Sequence, residues 1–180
     1  HELSYLETAK DPENWMDTMA RCPATMCNNG CPHGVLMYKF KSESLSDSQI
    51  ESILPDLKEV CEPRGKWQPS EVEIGMCYHG IGHLNMYITD ADIDKSLELC
   101  EKIGVKDGGR SYYQTCVQGV FMIVFQGVEP EDFALVADIK PEKEGVASFC
   151  APYSGLEYNA CRTEAWPLFV DQIREPEGLT

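Results

Sequence analysis

Apolar residues recur at helical spacing in several segments of the chain, and polar, turn-rich joints separate these segments. Ile93, Leu97 and Cys100 lie at positions i, i+4 and i+7, so they share one face of a helix. The segment from Trp15 to Cys22 repeats this spacing, and Asp11-Pro12 before it is typical of a helix start. The pattern predicts amphipathic helices ending near these cysteines.

A second kind of segment is apolar almost throughout, as in 35–38, 81–87 and 120–125. Val120–Phe125 taken alone suits a buried strand, but the two segments aligned with it, 35–38 and 81–87, contain few β-branched residues. We therefore predict buried helices in all three places. Pro55 lies inside the apolar stripe of residues 50–60 and predicts a kink or a split in that helix.

An internal repeat relates these segments to one another. The string Cys-x-His/Gln-Gly-Val/Ile begins at Cys31, Cys77 and Cys116, and the last two copies are 39 residues apart. A period near 39 is typical of paired-helix solenoid repeats. The sequence therefore predicts an all-α fold of paired-helix, solenoid-like repeats of about 39 residues, cross-linked by disulfides. In this general respect the chain resembles the tetratricopeptide and Sel1-like classes, although it lacks their signature residues.

We expect a single helical repeat domain over residues 1–180, because no linker is long enough to divide the chain. A degraded fourth copy runs from Cys150 to Cys161, and the approximate units are 11–31, 31–77, 77–116, 116–161 and a partial 161–180. The chain begins at His1 without a signal segment and ends in a loop-like stretch, 175–180. We interpret it as an excised piece of a longer, exported protein.

Eight of the nine cysteines hold paired positions in the repeat. Pairing across each joint gives four bridges: Cys22–Cys31, Cys61–Cys77, Cys100–Cys116 and Cys150–Cys161. Pairing within units also fits the period, as Cys31–Cys61, Cys77–Cys100 and Cys116–Cys150. We favour the first set because it uses every paired position. Cys27 has no equivalent, so it is unpaired or joined to a segment outside this piece.

Metal binding is the rival interpretation of the cysteines. Cys22, Cys27, Cys31 and His33 have the spacing C-x4-C-x3-C-x-H, which is loosely zinc-like. Strong zinc signals contain tighter C-x2-C pairs, and the other six cysteines are spread through the repeat. This distribution favours disulfides and an extracytoplasmic location: secreted, periplasmic or the exported domain of a larger protein.

The chain is strongly acidic, with 15 Lys and Arg against 30 Asp and Glu and a net charge of −15. This charge argues against binding to nucleic acid or to anionic lipid. No apolar run approaches the roughly 18 residues of a transmembrane segment. A protein partner is therefore expected, and the acidic balance favours a basic one.

Three histidines follow His1, and two of them hold the same repeat position. His33 and His79 align with Gln118 of the third copy, which shares their hydrogen-bonding ability but not their affinity for metals. The simplest interpretation is a hydrogen bond from this position to a backbone group near a helix start.

His79 also begins a possible metal-binding stripe. His79, His83 and Met86 lie at i, i+4 and i+7, so a helix places two imidazoles and a thioether on one face, which suits copper or zinc. The aligned stripes are His33-Met37-Phe40 and Gln118-Met122-Phe125, where Met and Phe are ordinary packing residues. Stacked units lie about 10 Å apart, so we expect His33 not to share an ion with His79.

The leading function predicted from the sequence is a protein-binding or scaffold module, because solenoids present extended concave surfaces. The alternative is a copper- or zinc-binding protein that uses the face of His79, His83 and Met86. A metal-dependent enzyme at the same residues is a third possibility, although no general base can be identified for it. The sequence contains no phosphate-binding loop and no nucleophile elbow.

Overall fold

The computed structural model describes residues 2–22, 30–40 and 43–171, and this part of the chain is all-helical. The predicted all-α class is therefore confirmed, and Val120–Phe125 is helical. None of the described helices is both long and apolar enough to cross a membrane. The ten α-helices of the described residues are α1 Glu2–Lys10, α2 Trp15–Ala20, α3 Gly30–Phe40, α4 Asp47–Glu59, α5 Glu71–Ile88, α6 Ile93–Gly104, α7 Tyr113–Gln126, α8 Pro130–Leu135, α9 Val146–Cys150 and α10 Gly155–Glu164.

The centre of the fold is α5, which packs between α3 and α7. Every residue from Gly80 to Ile88 is buried, so the C-terminal half of this helix has no solvent-facing side. This explains why its sequence is apolar almost throughout, since a helix surrounded by others needs no polar stripe. The amphipathic α6 covers α5 and α7 from outside and buries Ile93, Leu97 and Cys100, as the spacing predicts.

Four disulfides connect successive helices. They join Cys22 to Cys31, Cys61 to Cys77, Cys100 to Cys116 and Cys150 to Cys161, the set expected from pairing across the joints. Each one links the C-terminal half of one helix, or the residues just after it, to the next α-helix. Cys27 and His1, like residues 175–180, lie outside the described residues.

Some helix boundaries differ from the predicted ones. The long helix α5 begins at Glu71, six residues before Cys77, because Ser70 and Glu73 form a capping box. The Ser70 hydroxyl accepts from the Glu73 backbone N–H, and the Glu73 carboxylate accepts from the Ser70 backbone N–H. Pro55 does not split its helix, since α4 continues from Asp47 to Glu59. Helix α1 was not predicted from the sequence.

Candidate metal centre

The packing of α3 against α5 brings three histidines together. The ring centroid of His83 lies 4.6 Å from that of His33 and 4.9 Å from that of His79. The rings of His33 and His79 are 5.9 Å apart and nearly parallel. The two rings therefore lie closer together than the spacing of about 10 Å between stacked units suggests, and that His33 does not share an ion with His79 stays a prediction. Their side chains extend toward each other, and Gly80 leaves room, since a Cβ there would lie 2.4 Å from Cδ2 of His33.

Two further glycines bring the backbones of α5 and α7 into direct contact. A Cβ at Gly119 would lie 2.1 Å from the carbonyl oxygen of His79, and one at Gly82 would lie 2.1 Å from that of Cys116. Neither position can carry a larger residue at this separation. This close approach places Met122 of α7 beside His79.

The donor atoms converge on Nε2 of His79. This nitrogen lies 3.1 Å from Nε2 of His83 and 3.2 Å from Sδ of Met122. At these separations, an ion about 2.05 Å from each nitrogen and about 2.3 Å from the sulfur would have an N–M–N angle of about 98° and an N–M–S angle of about 95°. Each of these two pairs of atoms therefore stands at a separation that one transition-metal ion can bridge.

Backbone hydrogen bonds orient two of the imidazoles. His33 bonds to the backbone of Met76, and His79 bonds to the backbone of Thr115. Met76 immediately precedes Cys77, and Thr115 immediately precedes Cys116. These two cysteines hold the same repeat position, so the two hydrogen bonds are equivalent. The predicted backbone hydrogen bond at this position is thus present in both copies. In His79 it leaves Nε2 directed at the donor cluster, the orientation that metal-binding histidines usually have.

Burial keeps all three imidazoles uncharged near neutral pH. Desolvation, with repulsion from His79, lowers the pKa of His33 to about 3, and desolvation lowers the pKa of His79 to about 4. The pKa of His83 is well below its ordinary value because of burial and the two neighbouring histidines. A metal ion binds neutral imidazole, so protons do not compete with it here.

A pocket of about 540 Å³ leads to the histidines from the protein surface. Its lining includes the buried His33 and His83 and the half-buried Met37. Four carboxylates line the same pocket, three of them on exposed residues. A pocket with this lining attracts cations toward the imidazoles. The acidic residues are Glu2, Glu129, Glu131 and Asp132.

One wall of this pocket is held by a buried carboxylate. Asp132 of α8 accepts a hydrogen bond from the hydroxyl of Tyr87 on α5. Its other oxygen accepts from the backbone N–H groups of Val128 and Glu129, at 2.8 and 3.0 Å. The contact ties the start of α8 to the helix that carries His79 and His83.

The sequence predicts the proximity of His79 and His83 on one helix face but not that of Met122 to His79. His79 and His83 are neighbours, as their spacing implies, whereas Met86 is fully buried one turn beyond His83. The thioether that contacts His79 comes from Met122. The missed signal is the alignment itself, since Met37, His83 and Met122 hold one repeat position, four residues after His33, His79 and Gln118.

In the described part of the chain, no group of three or more His, Cys, Asp and Glu side chains is arranged to hold a metal ion. The candidate centre is instead formed by two imidazoles and a thioether, with His33 adjacent. Comparison of the chain with protein-family models, with curated proteins and with solved structures finds no significant match.

Proposed function

We propose that this protein binds a copper or zinc ion at a centre formed by His79, His83 and Met122. The observation that carries the proposal is the convergence of Nε2 of His83 and Sδ of Met122 on Nε2 of His79, at 3.1 and 3.2 Å. The acidic pocket that reaches His83 supplies a route for a cation.

The repeat helps to distinguish a binding centre from a structural histidine cluster. The third copy has Gln118 where the others have His33 and His79, so a structural hydrogen bond does not require imidazole there. Burying three imidazoles carries a desolvation cost that an apolar core would avoid. Metal binding gives a reason for this cost, since neutral buried imidazoles are good ligands for copper and zinc.

Elemental analysis of protein purified without an affinity tag tests the proposal. We expect the wild-type protein, after exposure to copper or zinc and gel filtration, to retain about one ion per chain. His79→Gln should lose it, because glutamine replaces a ligand with the residue that the third copy already has at this position. Far-UV circular dichroism and disulfide mapping would show that the variant is folded.

Met86→Leu is the matched control. Met86 lies on the same helix and was the thioether expected from the sequence, so its replacement should leave the retained metal unchanged. A wild-type protein that retains neither ion would refute the proposed function. Loss of the ion in Met86→Leu would instead identify Met86 as the thioether ligand, as predicted from the sequence.

We also infer that the disulfide-linked helix pairs are copies of one repeat. The bridges Cys61–Cys77 and Cys100–Cys116 both span 16 residues, and each joins the C-terminal half of a surface helix, or the residues just after it, to the next buried helix. The equivalent hydrogen bonds of His33 and His79 support the same relation. A solenoid-like stacking of these units remains part of this proposal.

The four disulfides indicate an oxidising, extracytoplasmic environment. Secretion or export to a periplasm is the specific form of this location that we propose. A protein-binding or scaffold role also remains a proposal. Leu3, 82 % exposed, and Leu6, 48 % exposed, give α1 an apolar surface that favours a protein contact.

A further inference from the structure

We infer that the ion taken by this centre is cuprous copper, Cu(I). The inference rests on the proposed function and specifies the ion and its oxidation state. Three observations carry it: the identity of the donors, the lack of charge among them, and a second thioether at the side of the pocket.

The side chains that meet at Nε2 of His79 are soft or borderline ligands, which prefer soft metal ions. Thioether sulfur, here Sδ of Met122 at 3.2 Å from that nitrogen, selects Cu(I) over harder divalent ions. Zinc centres in proteins use three or four ligands chosen from thiolate, imidazole and carboxylate. Among the described residues no group of three or more His, Cys, Asp and Glu side chains is arranged in this way, and all eight described cysteines are in disulfides.

The donors are also uncharged and desolvated. His83 is 7 % exposed, and imidazole and thioether bind metals as neutral ligands. The Born cost of taking an ion out of water grows with the square of its charge, so a monovalent ion loses about a quarter of what a divalent ion of equal size loses. A centre without an anionic ligand therefore favours Cu(I) over Zn²⁺ and Cu²⁺.

A second thioether lies at the entrance to the centre. Met37 lines the pocket together with His33 and His83, and it holds the same repeat position as Met122. His83 connects the pocket to the inner donors, because it lines the pocket and contacts His79. An incoming Cu(I) ion would meet an imidazole and a thioether at the pocket before it reaches the inner donors.

The test compares the affinities of Cu(I) and Zn²⁺ for the same protein. Cu(I) is supplied with ascorbate under argon and competed with a chromophoric Cu(I) chelator, and Zn²⁺ is competed with a fluorescent zinc chelator. Ascorbate is chosen because thiol reductants exchange with disulfides. We expect one Cu(I) per chain and a Kd for Zn²⁺ at least about 1,000-fold larger, given the thioether and the neutral donors.

Met122→Leu isolates the sulfur ligand, because leucine nearly conserves the volume of methionine. We expect this variant to weaken Cu(I) binding at least about tenfold and to weaken Zn²⁺ binding much less, since the soft ion depends more on the thioether. X-ray absorption of the copper complex should show sulfur scattering near the roughly 2.3 Å of a metal–sulfur bond in the wild type and none in Met122→Leu. Met86→Leu, the control, should match the wild type in every measurement.

The outcomes separate the two proposals. Equal affinity for Zn²⁺ and Cu(I), or unchanged Cu(I) affinity in Met122→Leu, overturns the inference of cuprous copper while metal binding stands. A protein that takes up neither ion at one equivalent overturns both. Near-ultraviolet circular dichroism of each variant shows whether its native packing is retained.

Discussion

At the scale of single residues, small side chains decide which donor atoms can meet. A β-carbon at Gly80 would collide with the imidazole of His33, and a β-carbon at Gly119 would collide with the backbone of His79. Glycine inside a helix costs about 1 kcal/mol relative to alanine. This cost is accepted at positions 80, 82 and 119 because α3, α5 and α7 could not otherwise approach closely enough for their side chains to converge.

Gly119→Ala should destabilise the protein because the new methyl group meets backbone atoms that cannot rotate away. The nearest are the carbonyl oxygen of His79 at 2.1 Å and Cα of Gly82 at 3.2 Å. Separating α5 from α7 would cost about 2 kcal/mol or more in the free energy of unfolding, as overpacking of well-packed cores does. Urea denaturation followed by circular dichroism measures this loss.

Gly75→Ala supplies the matched control on the same helix α5. A β-carbon there would lie 4.0 Å from a side-chain methyl of Thr115, which is an ordinary contact. The higher helix propensity of alanine should then leave stability unchanged or raise it by up to about 1 kcal/mol. Equal stability of the two variants would show that the α5–α7 crossing is not as close as the structure has it.

At the scale of elements, the short α8 is held in place by its contact with α5. Asp132→Asn should weaken this contact, because an amide oxygen accepts less strongly than a carboxylate from two backbone N–H groups and from the Tyr87 hydroxyl. Hydrogen bonds to a charged group contribute about 1.5–3 kcal/mol, so we expect a loss of about 2 kcal/mol in the free energy of unfolding. Hydrogen exchange of residues 128–135 should accelerate more than exchange in α5.

Asp138→Asn makes the same change of charge on an exposed residue shortly after α8 and should leave both measurements unchanged. Tyr87→Phe removes only one of the three hydrogen bonds of Asp132 and should give a smaller effect. If Asp132→Asn behaves like Asp138→Asn, the pocket wall does not depend on this carboxylate.

Elements with local signals were predictable from the sequence, and their crossings were not. The spacing of Ile93, Leu97 and Cys100 predicts α6, and the cysteine alignment leads to the four bridges found. The contact of Met122 with His79 depends on how closely α5 and α7 cross. A period in the sequence gives equivalent positions but not the distance between copies, so the separation of His33 from His79 was overestimated.

At the scale of the whole molecule, the disulfides hold the three helices of the centre. Cys31, Cys77 and Cys116 lie two residues before His33, His79 and Gln118, on α3, α5 and α7. Closing a loop of about 16 residues limits the unfolded chain and contributes about 3 kcal/mol in the chain-entropy description. The crosslinks thus offset the desolvation of a polar cluster at the centre of the fold.

The buried histidines should make the metal-free protein less stable as the pH falls from 6.5 toward 5. Their pKa values are about 6.5 in the unfolded chain, but burial lowers them to about 3 in His33 and about 4 in His79, and well below normal in His83. Over this range the unfolded chain binds more protons than the folded protein, so acid favours unfolding. Above pH 7.5 the three histidines contribute no pH dependence.

Urea titrations between pH 8 and 5 measure this effect, with a limiting slope of about 1.4 kcal/mol per pH unit for each histidine. His33→Gln, which places the residue of the third copy in the first, should remove about one third of the slope. Glu62 and Glu73, with lowered pKa values, lose their stabilising contribution only at lower pH, and the raised pKa of Glu164 acts in the opposite direction. A wild-type stability that is constant from pH 7 to 5 would contradict the desolvation that lowers the pKa values of the three imidazoles.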